Sequence, residues 1–288
     1  MPNGIVIIDK PSGWTSMDVC AKIRGILHEK RVGHGGTLDP MATGVLPVFV
    51  GQATRAVEFA ENSRKEYIAG VRFGLVTDTQ DVTGTVLETR AAAVSRAELE
   101  SVLPRFTGDI SQIPPMYSAV KIGGQRLYDL ARKGKEVERK PRSITIYALE
   151  LLEQTGETDW TLRCTCSKGT YVRTLAHDIG RSLGCGAALY SLRRTMAAGF
   201  TLEQAVTLED VQRLGESVLL PTDRYFAEHS AYTLPSPALE TRCRNGNPVP
   251  AVGLVDGLYR VYGAGGAFLC LSRAQGGTLT SLKNFFGA

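Results

Sequence analysis

Strand patterns follow one another directly in this chain, and that succession constrains its fold more than any other feature. Ile144 to Leu152 and Trp160 to Ser167 each read as a strand, with no helical pattern between them. Upstream, Tyr67, Ala69, Val71 and Phe73 alternate with Ile68, Gly70 and Arg72, the two-residue period of a strand with at least one apolar face. Ile5 to Ile8 reads as a buried strand ended by the turn Lys10-Pro11-Ser12-Gly13, and Val48 to Val50 as another. Helices are interspersed among these. Ser16 is the predicted N-cap of one that carries Val19, Ile23 and Leu27 at helical spacing, with Cys20 and Ile26 beside them. Ser95 and Glu98 form a capping box ahead of Leu99, Val102, Leu103 and Phe106, with Pro104 kinking or ending that helix. The clearest helix opens at Thr170, where Val172, Leu175, Ala176, Ile179 and Leu183 make one apolar stripe and Gly184 is the stop. Without a strict strand-helix-strand rhythm, the pattern favours an α+β sheet over a doubly wound parallel one.

With 288 residues, 43% of them hydrophobic, the chain can bury a full core in one large domain, or in one large and one small. Its last section changes character: nine of the 31 glycines fall in the final 48 residues, between apolar runs at Tyr259 to Tyr262, Phe268 to Leu271 and Thr278 to Leu282. That pattern predicts a small β-rich terminal domain, with a large domain over 1–230 and the small one over 231–288. The amino terminus has only the short apolar run Ile5 to Ile8 before Asp9 and Lys10, which fits neither a secretory signal nor a membrane anchor, so a cytoplasmic location is expected. The six cysteines include no C-x-x-C pair and read as reduced core residues, with Cys164 and Cys166 on one face of a strand.

Charge is informative only locally. Between Lys121 and Arg142 there are eight basic residues against three acidic ones, a larger excess than the net +4 of the whole chain. Such a patch suits a phosphate backbone, and equally a solvated face. Residues 33–47 hold four glycines and two prolines, too many breakers for a regular element. Gly33-x-Gly35-Gly36 lacks the register of a dinucleotide fingerprint, no Walker lysine motif is present, and His28, His34, His177 and His229 lack metal-ligand spacing. No cofactor is therefore expected, and the chemistry falls to protein groups.

Asp39 is the candidate. Pro40 biases it toward an extended backbone that projects its side chain outward, and an aspartate is ionised in neutral water without a separate base. A turn-forming role is the alternative. Arg173, on the helix face opposite the apolar stripe with His177 one turn beyond, is either the carboxylate's partner or an exposed surface arginine. Tyr67 and Tyr171 can each lie against a flat base, or serve as core aromatics.

The run Gly33-His34-Gly35-Gly36-Thr37-Leu38-Asp39-Pro40-Met41-Ala42-Thr43-Gly44-Val45-Leu46-Pro47 resembles the signature of the TruB family of pseudouridine synthases. The likeness extends, in the same order, through Asp9-Lys10-Pro11-Ser12-Gly13-Trp14-Thr15-Ser16, Lys65-Glu66-Tyr67 and Thr77-Asp78-Thr79-x-Asp81-x-x-Gly84. It continues in Pro114-Pro115-Met116-Tyr117-Ser118-Ala119-Val120-Lys121 and Cys166-Ser167-Lys168-Gly169-Thr170-Tyr171-Val172-Arg173-Thr174-Leu175. The resemblance implies that Asp39 is catalytic and that His34, Tyr67, Tyr171, Arg173 and Leu192 contact substrate. It also implies an α+β core with a mixed, largely antiparallel sheet flanked by helices, and a PUA-like RNA-binding domain at the C-terminus. The implied reaction is isomerisation of uridine to pseudouridine at position 55 in the T loop of tRNA, by base flipping and without a cofactor. A compact chain without a lysine-rich tail favours the stand-alone type, acting without guide RNA, over a guide-dependent relative, and a monomer is expected without a direct signal for it; an RNA-binding protein with a vestigial site is the rival from another class.

Overall fold

The computed structural model describes residues 1–287. Strand β1 (Gly4–Lys10) leads into helix α1 (Ser16–Leu27), whose N-cap is Thr15, one residue earlier than the sequence pattern suggests. Thr15 wins because Asp18 completes a capping box with it, its carboxylate taking the Thr15 N–H at 2.9 Å while Asp18 N–H donates to Thr15 Oγ1 at 3.1 Å. Strands β2 (Val32–His34) and β3 (Thr43–Val50) follow, then helix α2 (Val57–Glu61) and the long strand β4 (Lys65–Phe73). A small hairpin of β5 (Leu75–Thr77) and β6 (Val86–Thr89) precedes α3 (Arg96–Val102), capped by Ser95 and Glu98 as predicted, and β7 (Gly108–Gln112).

The basic stretch then forms an arm that leaves the sheet after β7 and returns to it at β10 (Arg142–Gln154). It contains the two-residue strands β8 (Lys121–Ile122) and β9 (Gln125–Arg126) and the short helix α4 (Leu127–Ala131). Strand β11 (Asp159–Cys166), helix α5 (Val172–Ser182) and strand β12 (Ala187–Ala197) complete the large sheet, with β13 (Phe200–Thr201) folded back on β12. Helix α6 (Leu208–Leu214) follows. Beyond it lie β14 (Ser230–Thr233), α7 (Pro237–Arg244), β15 (Val249–Pro250), β16 (Gly257–Tyr262), β17 (Phe268–Gln275) and β18 (Thr278–Asn284).

Strand order in the large sheet is β1-β3-β12-β4-β11-β10-β7, antiparallel at every junction except β3 against β12. The fold is α+β, and the direct succession of β10 and β11 in sequence becomes an antiparallel pair in space. Period-two burial explains how both faces are covered. Val6 and Ile8 point to the core formed with α1, α3, α5 and α6, while Ile5 and Ile7 point to a second core that includes Phe226, Leu271 and Phe285. The five-stranded C-terminal sheet, ordered β14-β16-β17-β18-β15, thus packs on the back of β1 and β3, away from the helices of the first core. All six cysteines are buried and unbridged, Cys164 and Cys166 on the same face of β11. Among the described residues no helix is long and apolar enough to cross a membrane.

Candidate active site

Residues 33–47 are less irregular than their glycines and prolines suggest, because β3 pairs with both β1 and β2, which recruits both ends of the run into strands. Gly33 and His34 belong to β2, and Thr43 to Pro47 to β3, with Pro47 opposite Ile7 and its carbonyl accepting from Gly35 N–H at 2.9 Å. Gly44 is required here: its φ is +100°, and a Cβ would stand 2.2 Å from the Arg194 carbonyl oxygen where β12 runs alongside. The loop proper is therefore short. Ser16 Oγ receives the Leu38 N–H at 2.8 Å, and Ala42 N–H closes a turn onto the Asp39 carbonyl at 3.0 Å.

Two buried cations hold this loop by its backbone. Lys10, fully buried, donates from Nζ to the carbonyls of Pro11, Trp14 and Pro40 at 2.9, 2.6 and 3.2 Å. Burial lowers its pKa to about 8, with the Asp39 charge acting in the opposite sense. Arg194, also fully buried, donates to the carbonyls of Val45 at 2.7 Å and Gly36 at 3.1 Å. The turn at Asp39 is thus made by backbone atoms and secured from both sides, which leaves the carboxylate for other work.

That carboxylate meets Arg173, in the first turn of α5. The arginine is no surface residue: it is 5% exposed, because the loop and the 78–84 turn close over the start of the helix. Its Nη2 donates to Asp39 Oδ1 at 3.1 Å, and its Nε stands 2.8 Å from Oδ2, close but out of line for a second hydrogen bond. The remaining donors bind the carbonyls of Thr79 at 2.9 Å and Tyr117 at 3.0 Å. Asp81, 4% exposed, faces the same guanidinium with Oδ2 at 3.5 Å from Nη1, and Thr79 and Thr83 tie its Oδ1 into the turn. Gly84 permits that turn, since a Cβ would lie 2.2 Å from Thr79 Oγ1. One guanidinium thus serves two carboxylates, one locked in the protein and the other, Asp39, with its side chain 35% exposed.

Asp39 opens into a cavity of about 290 Å³, lined also by Lys65, Tyr67, Ser118, Tyr171, Arg173 and Leu192. Tyr67 is 6% exposed, and burial pushes its pKa up to about 12, against the smaller opposing effect of Arg194, so it presents a neutral phenol. It is at once a core aromatic and a wall of the cavity. Burial likewise raises the Tyr171 hydroxyl and lowers Lys65 to about 8; the Lys65 ammonium donates to the carbonyls of Glu61 and Ser63 at 3.0 and 2.9 Å. Leu192, 7% exposed on β12, contributes an apolar surface. The structure therefore gathers Asp39, Tyr67, Tyr171, Arg173 and Leu192 around one space. His34 is not part of that lining; it ends β2, half-buried, its Nδ1 accepting from Gly36 N–H at 3.3 Å and its pKa lowered by burial and by Arg194.

Lys10, Lys65, Asp81 and Arg194 escaped the reading of the sequence as site residues. A signal existed for Arg194, which shares strand parity with the apolar Leu192. In the sequence Lys10 opens the turn that ends an apolar strand, a place where a charge is ordinarily solvated.

Known proteins resemble this chain along most of its length. The chain matches a family model described as TruB family pseudouridylate synthase (N terminal domain) over residues 24–172. A second, tRNA pseudouridylate synthase B C-terminal domain, matches residues 173–227. A tRNA pseudouridine synthase B from Pseudomonas fluorescens is 45% identical, the alignment covering 93% of this chain and 90% of the relative. One from Dechloromonas aromatica is 43% identical, with 91% and 89% covered. Among solved structures, a Cbf5-Nop10-Gar1 complex superposes with a TM-score of 0.75 at 27% identity, covering 99% of this chain and 85% of the matched one.

Proposed function

The chain belongs to the TruB family of pseudouridine synthases, and on that premise we propose that it converts uridine to pseudouridine at position 55 in the T loop of tRNA, with Asp39 as the catalytic carboxylate. One observation carries the reading: Asp39, gripped by the buried Arg173, faces a cavity walled by Tyr67 and Leu192.

The isomerisation exchanges the sugar's bond to N1 of the base for a bond to C5; C5 gives up its hydrogen as a proton and N1 takes one up, so the two sides balance without a cofactor. Both atoms are inaccessible while the base is stacked, so the uridine must be extruded, at a cost of a few kcal/mol. The face of Tyr67 offers the flipped base a stacking surface, worth about 1–3 kcal/mol. Leu192 and Tyr171 complete the walls. Asp39 acts on the nucleotide from a fixed position, since its turn is held by Lys10 and Arg194 and its oxygens by Arg173; no reorganisation is needed as charge develops. Tyr67, a neutral phenol, packs and hydrogen-bonds rather than accepting the C5 proton. His34 stands off the cavity, at the end of β2, where it can meet the RNA around the extruded nucleotide. The basic arm between β7 and β10 supplies phosphate contacts, and we assign residues 231–288 as a PUA-like RNA-binding unit docked on the catalytic domain of residues 1–230.

No guide RNA enters this reading, and the enzyme is assigned to the cytoplasm. The test is to incubate purified protein with an unmodified tRNA or T-arm hairpin, without guide or cofactor, and to analyse the nucleosides. Pseudouridine at position 55 is expected from wild type. Asp39→Asn should bind the hairpin within a few-fold of wild type while conversion falls by about 10³-fold or more, the scale set by loss of a principal catalytic group. Conversion by the Asn variant at the wild-type rate removes Asp39 from its assigned role.

A further inference from the structure

Gln112 is the last residue of β7, 3% exposed, and both ends of its carboxamide are engaged by one residue of another element. Its Nε2 donates to the Tyr171 carbonyl at 3.1 Å, and its Oε1 accepts from the Tyr171 N–H at 2.8 Å. This is the hydrogen-bond pattern of a strand partner, made by a side chain. Tyr171 is the N-cap residue of α5, yet its own side chain caps nothing. The start of the helix is therefore secured from outside, by Gln112, two residues before Arg173.

Its place in the topology adds a second point. Gln112 pairs with Arg142 across β7 and β10, so it sits at the root of the basic arm, where the chain departs at residue 113 and re-enters the sheet at 142. The arm's first segment also holds the site directly: the Tyr117 carbonyl accepts from Arg173 Nη2 at 3.0 Å, and Ser118 lines the cavity. Strand β7, the arm and the head of α5 thus meet on one side chain.

Resting on the reading above, we infer that Gln112 is a positioning residue for the isomerisation: it sets the head of α5 so that Tyr171 and Arg173 face Asp39 in register. A displacement of about 1 Å in a positioned group can lower a rate about 10²-fold without touching the reacting atoms. Because Gln112 reaches neither the cavity nor solvent, its loss should affect the chemical step and leave RNA affinity in place.

The experiment compares wild type, Gln112→Met and Gln112→Asn on a T-arm hairpin, measuring the single-turnover rate at saturating enzyme and, separately, Kd. Met preserves length and removes both hydrogen bonds; Asn keeps the neutral carboxamide but is one methylene too short to hold the Tyr171 N–H and carbonyl together. The expected order of rates is wild type, then Gln112→Asn, then Gln112→Met, the last slower by about 10- to 100-fold, with Kd changed by less than about twofold. Circular dichroism confirms folding, and if Gln112→Met does not fold, Gln112→Asn decides alone by the same criterion. A folded variant that converts uridine at the wild-type rate overturns the inference, as does a rate loss matched by an equal rise in Kd. Failure of wild type to convert the hairpin is a different result and takes the functional reading down with it.

Discussion

Arg173 divides its charge between Asp39 and Asp81, and that division decides what its loss costs. In Arg173→Met both carboxylates lose their cation, and Asp81, 4% exposed, cannot be rescued by water. Removing one partner of a buried ion pair typically costs about 3–5 kcal/mol, so the midpoint of urea unfolding should fall accordingly, along with most of the activity. Arg173→Lys should separate the two effects. An ammonium can stay near Asp81 and recover much of the stability, but it cannot also reach Asp39 and the carbonyls of Thr79 and Tyr117, so conversion should remain at least about 10²-fold down. Denaturation midpoints and single-turnover rates on the same preparations check both statements. At this scale, sequence reading could nominate Asp39 and Arg173 as partners but left each with a bland alternative. Burial of Arg173 removed its alternative, and a turn built from backbone atoms removed that of Asp39; both depend on elements distant in the chain.

Among the elements, the strand β3 shows how a local pattern can mislead. Gly44 and Pro47 argue against a strand by intrinsic preference, yet β3 is an interior strand of the large sheet, next to its edge, because β1 and β12 supply partners on either side. Gly44 belongs there for a tertiary reason, the close approach of the Arg194 backbone. Gly44→Ala is expected to destabilise the fold by at least about 1–3 kcal/mol, the cost of a strained φ, with the clash against Arg194 added. Conversion should fall as well, since Arg194 braces the carbonyl of Gly36 beneath the Asp39 loop. Thermal melts beside activity assays read the two losses. Helix α5, by contrast, was legible: its apolar stripe of Val172, Leu175, Ala176 and Ile179 packs into the first core as the helical period requires. Its start was not. The sequence pattern opens it at Thr170, whereas the helix begins at Val172, because Gln112 holds the backbone of Tyr171.

The molecule as a whole carries only a small net charge, so its affinity for RNA depends on where that charge sits. Residues Lys121, Arg126, Arg132, Lys133 and Lys135 are exposed on the arm. Replacing Arg132 and Lys133 together by glutamine should weaken hairpin binding and reduce the slope of log K against log salt by about 1 to 2, since each lost phosphate contact removes about 0.7–0.9 from it. Single-turnover rate at saturating enzyme should be unchanged; titrations at several salt concentrations test this. An unchanged slope would show the arm to be no more than a solvated face.

By itself the sequence determined the class of fold, most of the strands and helices, and the loop that presents Asp39, because periodicity, caps and chain-breaking residues act over a few neighbours. Its ordered motifs also indicated the family. Only the tertiary structure decided that Lys10 and Arg194 are buried beneath that loop, that Asp81 shares the guanidinium of Arg173, that His34 stands off the cavity, and that Gln112 holds Tyr171. The physical reason is range: desolvation and hydrogen bonding of a side chain are set by whatever packs over it, and here that comes from strands and helices far away in the chain.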